Sequence, residues 1–234
     1  MDEDQYAIAR KKTLGASDTS VYLGLNKYKT VPQLVQEKKN LMVTDEERKV
    51  KEIVSVRKGY DLEPLILKKF SDKYNCTIVK PPHMYRHPEQ QQLSVNFDGV
   101  VKSDAFKSIL SHDYFQTDSL IPVEAKYVTI AGDKFYGKNP DICRAAAISI
   151  PTRSANVVEH CNKVAEEIGI PPYYYSQVQQ QLFFTGAPFG FLVALFEKDW
   201  ELRVYLVKRD EFIINQILIE SAKLQARIES MRKV

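Results

Sequence analysis

Three side chains in the middle of the chain have the types and the spacing for metal-assisted hydrolysis. Asp98 precedes Gly99, and Glu124 and Lys126 stand two apart in the run Pro122-Val123-Glu124-Ala125-Lys126-Tyr127-Val128. Leu120 to Val128 reads as a β-strand, on which residues two apart point to one face. That face therefore carries a carboxylate and an ammonium side by side. Gln91 to Phe97 reads as a strand running into Asp98. Paired as a hairpin, the two strands bring Asp98 against Glu124, giving two acidic groups that can share a divalent cation and a lysine within reach of the activated water. A Glu/Lys pair on an edge strand is otherwise a solvated pair of little energetic weight. Here Val123 and Ala125 alternate with it, so the opposite face is buried and the charged face rides on a rigid element.

The elements around this strand supply further polar groups. Gln5 to Lys12 reads as a helix ending in Arg10-Lys11-Lys12, followed by the small-residue turn Thr13-Leu-Gly-Ala-Ser17-Asp18. Ser17 or Asp18 can cap the next helix, which carries Val21, Tyr22 and Leu25. A helix N-terminus beside an arginine suits a phosphate; the same residues also read as plain caps and a surface charge. Thr30-Val31-Pro32 opens another helix, and Thr44 to Glu47 is a capping box. Glu63, directly before Pro64, reads as a carboxylate at a helix start near an apolar face, able to reach inward to a metal or simply to favour the helix dipole. On the helix opened by Pro171-Pro172, Gln177 and Gln181 share a face with apolar neighbours, and buried amides need partners. Phe189 to Phe196 and Trp200 to Val207 alternate around Lys198-Asp199 as a hairpin, and Arg209 to Arg232 closes the chain as an amphipathic helix.

Length and composition set the frame. At 234 residues the chain suffices for one sizeable domain with a proper core. The 33 basic and 30 acidic residues leave a net charge of +3, so a nucleic acid would be held by local basic patches rather than by bulk charge. Cys76, Cys143 and Cys161 form no C-x-x-C pair, which argues against a zinc ribbon or a four-cysteine cluster and for a reducing compartment. The longest apolar run, Phe191 to Phe196, is too short to cross a bilayer, so the expectation is a cytoplasmic protein with no membrane partner. His83 and His87 are flanked by prolines at 82 and 88, which argues against a shared helical face and a metal site. Two segments, 102–119 and 133–169, interrupt the regular pattern as insertions on one 1–234 domain. The second shows no clear long periodicity. It carries Lys134, Lys138, Arg144 and Arg153 with Phe135 and Tyr136, a set that reads equally as a solvated loop or as a grip on a nucleic-acid backbone.

Taken in order, Arg10 with Ser17, Gly59-Tyr-Asp-Leu-Glu63-Pro, Asn96-Phe-Asp98-Gly99, Val123-Glu124-Ala-Lys126 and Tyr174-Tyr-Ser-Gln177-Val-Gln resemble the YqaJ-like viral recombinase family, relatives of the lambda-type exonucleases in the PD-(D/E)XK superfamily. The resemblance runs from Arg10 to about Val207. It implies an α/β restriction-endonuclease-like fold, a mixed central sheet flanked by helices. It implies Mg2+, with Mn2+ as a substitute, held by Asp98, Glu124 and the backbone carbonyl of Ala125. Glu63 would support a second metal or the water, Lys126 would act on the attacking water, Gln177 would lie beside the centre, and Arg10 with Ser17 would receive a 5′-phosphate. The implied activity is 5′-to-3′ digestion of one strand of linear double-stranded DNA, with DNA ends and a single-strand annealing protein as partners and a homo-oligomer as one arrangement. Phe97, where the family often has proline or a small residue, and Asn96, where serine is common, depart from its pattern. A structure- or sequence-specific endonuclease on the same fold, and a non-catalytic DNA-binding protein, are the rival expectations.

Overall fold

The computed structural model describes residues 3–41, 53–106, 119–137, 142–150 and 156–232. In chain order these form helix α1 (Glu3–Lys11), strand β1 (Leu14–Gly15), a 3-10 turn (Ala16–Asp18), α2 (Thr19–Tyr22), α3 (Val31–Lys39), α4 (Val54–Tyr74), β2 (Ile78–Val79), β3 (Tyr85–Arg86), β4 (Leu93–Val95), β5 (Gly99–Lys102), β6 (Leu120–Val128), α5 (Ile142–Ala147), α6 (Val157–Ile168), α7 (Pro172–Thr185), β7 (Phe189–Phe196), β8 (Leu202–Lys208) and α8 (Glu211–Arg232). The capping box at Thr44 to Glu47, residues 107–118 of the first insertion, and Lys138 and Arg153 with the side chain of Arg144 lie outside the described residues.

A five-stranded sheet runs in the order β2-β5-β6-β7-β8. The β6–β7 pair is parallel and the others are antiparallel, so the sheet is mixed. Strand β7, Phe-Gly-Phe-Leu-Val-Ala-Leu-Phe, is buried along its whole length, as its unbroken apolar run requires of a strand covered on both faces. Helices α4 and α7 both pack on β6 and β7. A smaller sheet, β1-β4-β3, stands beside it.

The strand that runs into Asp98 is not the partner of β6. It is β4, which pairs with β1 and β3 in the smaller sheet, whereas the partner of β6 is β5, which begins at Gly99. Asp98-Gly99 is thus a crossing between sheets rather than a hairpin turn. Gly99 suits that crossing because a Cβ there would meet Ile78 Cγ2 at 2.6 Å and Leu67 Cδ2 at 3.4 Å. Pro64 also sits elsewhere than expected. It lies inside α4, on its exposed side, where the hydrogen bond it removes costs least because water can satisfy the freed carbonyl.

The stretch without evident periodicity contains a regular helix, α6. Asn156 caps it by accepting from Val158 and Glu159 N–H, Gly169 closes it at φ +86°, and Cys161, Val164, Ala165 and Ile168 face inward. Helix α8 packs on this chain's own α2, α3 and α7. Its cap is Asp210, whose Oδ1 accepts from Phe212 and Ile213 N–H, while Oδ2 takes Tyr175 Oη at 2.7 Å and meets His160 Nε2 at 2.6 Å.

The anticipated cap at Ser17 or Asp18 is absent. Helix α2 is only four residues long and has no side-chain cap bond. The Asp18 carboxylate instead accepts from Gly15 N–H at 2.9 Å and pairs with buried Lys38 at 2.6 Å. Burial works to raise the Asp18 pKa, yet the charges of Lys38 and Arg10 hold it below the ordinary value. Lys38→Met, which strands the carboxylate, is expected to cost about 3–5 kcal/mol in urea unfolding, and Asp18→Asn in the same chain is expected to return most of it. Because the folded pKa is depressed, this contribution is present above about pH 4 and vanishes as pH falls through the folded value. The double variant should therefore show a shallower acid loss of stability than the parent below about pH 4.

Candidate active site

Strand β6 sets Glu124 and Lys126 on one face, and α7 lies across that face. Glu124 is 1% exposed, and every donor it meets comes from a residue placed by periodicity. Lys126, two along the strand, bonds Oε1. From α7, Gln177 Nε2 reaches Oε1 and Gln181 Nε2 reaches Oε2, both at 2.5 Å. The i,i+4 pair of amides flagged as oddly apolar in setting thus grips one buried carboxylate.

Asp98 joins from the other side. Gly99 pairs with Val123, so the register carried one residue further sets Asp98 opposite Glu124, and the Ala125 N–H donates to Asp98 Oδ2 at 2.9 Å. A strand residue offers its N–H and C=O to the same neighbour, so the Ala125 carbonyl faces the Asp98 side as well. Glu63 arrives from the middle of α4, not from a helix start, and Lys80 is hydrogen-bonded to its carboxylate. Lys80 follows β2, whose Val79 pairs with Val100. Lys80, Gln181 and Tyr174, whose ring centroid lies 5.2 Å from Lys126 Nζ, are the site residues missing from the sequence-based set. Gln181 left a signal there through its spacing from Gln177, and Tyr174 through the motif it shares with Gln177, whereas Lys80 left none.

The charges are unbalanced. Burial, together with the nearby Glu124 and Glu63, pushes the Asp98 carboxyl well above the ordinary carboxylate value, against the pull of Lys126 and the Ala125 N–H. Burial alone would discharge Lys126, but Glu124 and Asp98 hold its ammonium well above the ordinary lysine value. Three acids facing two lysines leave room for positive charge. Among the described residues no three His, Cys, Asp or Glu side chains form a ready cage. Magnesium, however, takes one or two carboxylates and completes its shell with water and substrate phosphate. Asp98, Glu124 and the Ala125 carbonyl fit that pattern, and Gln181, whose Nε2 bonds Glu124, keeps a buried Oε1 with no hydrogen-bond partner.

Arg10 and Ser17, also in the expected set, bond each other: Arg10 Nη2 donates to the exposed Ser17 Oγ at 3.1 Å, at the end of α1 beside the 3-10 turn. His83 is exposed, and His87 accepts from Glu89 and Gln90 N–H and stacks on Phe183 with centroids 4.6 Å apart. Neither takes part in the site.

An Asp and a Glu-x-Lys at a strand junction of a mixed, helix-flanked sheet define a restriction-endonuclease-like α/β protein of the PD-(D/E)XK type. The chain belongs to the YqaJ-like viral recombinase family, whose domain model matches residues 5–188. It is 30% identical over 110 residues to the uncharacterized protein YqaJ of Bacillus subtilis strain 168, a stretch that is 47% of this chain and 33% of that protein. Its fold matches the crystal structure of an alkaline exonuclease, LHK-Exo, from Laribacter hongkongensis, with TM-score 0.63 and 14% identity over 98% of this chain and 94% of that one. The same enzyme in complex with dAMP matches with TM-score 0.61. Among the described residues no helix is long and apolar enough to cross a membrane.

A raised carboxyl pKa stabilises the fold below the unfolded value and loses that contribution as pH rises through the folded one. The metal-free protein should accordingly become less stable from about pH 4 upward on account of Asp98. Millimolar Mg2+ should raise the melting temperature more at about pH 8.5 than at about pH 5.5, where protons compete for the carboxylate. Asp98→Ala should remove both effects in differential scanning fluorimetry.

Proposed function

We propose that this chain is a Mg2+-dependent exonuclease that digests one strand of linear double-stranded DNA from its 5′ end and leaves a 3′ single-stranded tail for recombination. The observation that carries the reading is the convergence of Asp98, Glu124, Lys126 and the two α7 amides on one buried centre. A DNA-binding surface alone has no need of clustered buried carboxylates, which repel phosphate. The dAMP complex of LHK-Exo accords with a mononucleotide product.

Magnesium, when bound, lowers the pKa of its water and offsets phosphate charge. The chain's own groups position and polarise. Gln177 and Gln181 fix both oxygens of Glu124, and the Ala125 N–H fixes one oxygen of Asp98, so the carboxylates need not reorganise during the reaction. Lys126 stays charged and faces the negative charge that develops on the phosphate oxygens as water adds and the 3′-oxygen departs. Glu63, steadied by Lys80, orients the attacking water or a second cation. Arg10 with Ser17 binds the terminal 5′-phosphate by charge-assisted hydrogen bonds, which makes the cut dependent on an end. A single-strand annealing protein is the partner such a tail would require.

The deciding experiment offers a 5′-phosphorylated linear duplex and the same DNA as a closed circle, with Mg2+. Loss of one strand from the linear form only is expected. Lys126→Met should lower kcat by at least about 100-fold, and Arg10→Ala should erase the preference for a 5′-phosphate over a 5′-hydroxyl. Equal cutting of the circle would establish the endonuclease instead, and a Lys126→Met protein as fast as the parent would remove that residue from the mechanism.

A further inference from the structure

Beyond the carboxylates, a ladder of aromatic rings leads away from the catalytic lysine to open solvent. Tyr174, under Lys126, meets Tyr173 with centroids 4.5 Å apart, and Tyr173 meets Tyr28 at 6.4 Å. Tyr28 is 73% exposed. Lys27 flanks it, with Nζ 5.3 Å from the Tyr28 ring and 3.5 Å from the ring of Phe135, which Lys134 also covers at 5.1 Å. The loop that presents Tyr28 is pinned: Asn26 Oδ1 accepts from Tyr28 and Lys29 N–H, and Asn26 Nδ2 donates to Ser20 Oγ at 3.0 Å. The ring is thus held outward on a fixed turn, with a face open to a stacking partner.

Helix α7 acts as a ruler for this surface. Tyr173 and Tyr174 occupy its first turn and Gln177 and Gln181 grip Glu124 along its middle. Phe184, in the last turn, packs against the cluster holding Ala16, the neighbour of Ser17. From Tyr173 to Phe184 the axis rises about 16 Å. Along α7 the rings thus lie at the first turn, the grip on Glu124 at the middle, and the cluster that holds Ala16, next in sequence to Ser17, at the last turn.

We infer that Tyr174, Tyr173 and Tyr28, flanked by Lys27 and Lys134, stack the unpaired bases that lie 3′ of the scissile phosphate in the strand being cut. This rests on the nuclease reading above. A strand with its terminal phosphate at Arg10 and its next phosphate at Glu124 and Lys126 delivers its following bases to the rings. Aromatic faces accept any base, and the flanking ammonium groups track the backbone.

The test measures binding by fluorescence anisotropy in an Asp98→Ala background, which prevents cutting, on one duplex carrying a 5′ overhang, a 3′ overhang or blunt ends. Tyr28→Ala is expected to weaken binding of the 5′-overhang DNA about tenfold and to leave the 3′-overhang DNA unchanged. Tyr28→Trp should retain affinity, and Trp200→Ala, an exposed ring elsewhere, should have no effect. With Asp98 intact, Tyr28→Ala should raise KM and spare kcat. Unchanged affinity for every DNA, or a loss confined to the 3′ overhang, would overturn the assignment while leaving the nuclease standing. A parent protein that neither binds nor cuts DNA would bring down both.

Discussion

The candidate site is organised by the burial of one carboxylate. Glu124 sits on an inner strand at 1% exposure, where an unpaired charge would cost several kcal/mol. Lys126 and Gln177 on Oε1 and Gln181 on Oε2 offset that cost. Those partners in turn demand that α7 cross β6 at one height and one rotation. The helix is held there by its own polar residues. Gln180 donates to Leu14 and Ser94 carbonyls and accepts from Thr19 and Tyr22, tying α7 to the smaller sheet. Gln179 bonds the Lys208 carbonyl and Asp210 N–H, tying it to the end of β8 and the cap of α8. Three successive glutamines, each turned about 100° from the last, lock one helix to three parts of the fold.

The same burial sets the chemistry. Asp98, forced close to Glu124 by the β5–β6 register, is pushed toward its neutral form, while Lys126 is held in its charged form. A site that disfavours its own second carboxylate charge is one that gains from a cation, and also one that binds protons in the cation's place. Lys80 is hydrogen-bonded to Glu63, and that bond raises the pKa of the lysine. Cation affinity, proton affinity and fold stability are thus coupled through one cluster of groups.

Much of this was legible in the sequence where periodicity alone decides. The Glu-x-Lys face of β6, the β7–β8 hairpin and the paired amides of α7 follow from spacings of two or four, and the start of α3 follows from the proline in its first turn. The errors fall where a residue's role depends on a distant partner. Asp98-Gly99 has the composition of a hairpin turn, and only the assembled sheets make it a crossing between them. Asp18 has the type and place of a cap but answers to Lys38, twenty positions on. Pro64 suggested a helix start because nothing local tells that it falls on the exposed side of a longer helix. Helix α6 was hidden by the mixed composition around it, though its Asn156 and Gly169 boundaries were present. Lys80 was invisible, and of the ring ladder only Tyr174, Phe135 and Lys134 were noticed, without the contacts that join them, because the groups they meet come from remote segments.

That division explains how the fold can persist while the sequence drifts. LHK-Exo superposes over 98% of this chain at 14% identity. The requirements that fix the architecture are patterns rather than particular residues: a buried run for β7, alternation on β6, an amide pair at i and i+4. Many sequences meet them. Exposed groups outside the core, such as Tyr28 and Phe135, are under no such packing constraint. Changes there leave the scaffold intact and alter what the scaffold can hold, so the ring ladder, not the sheet, is where this chain has freedom to differ from its structural relatives.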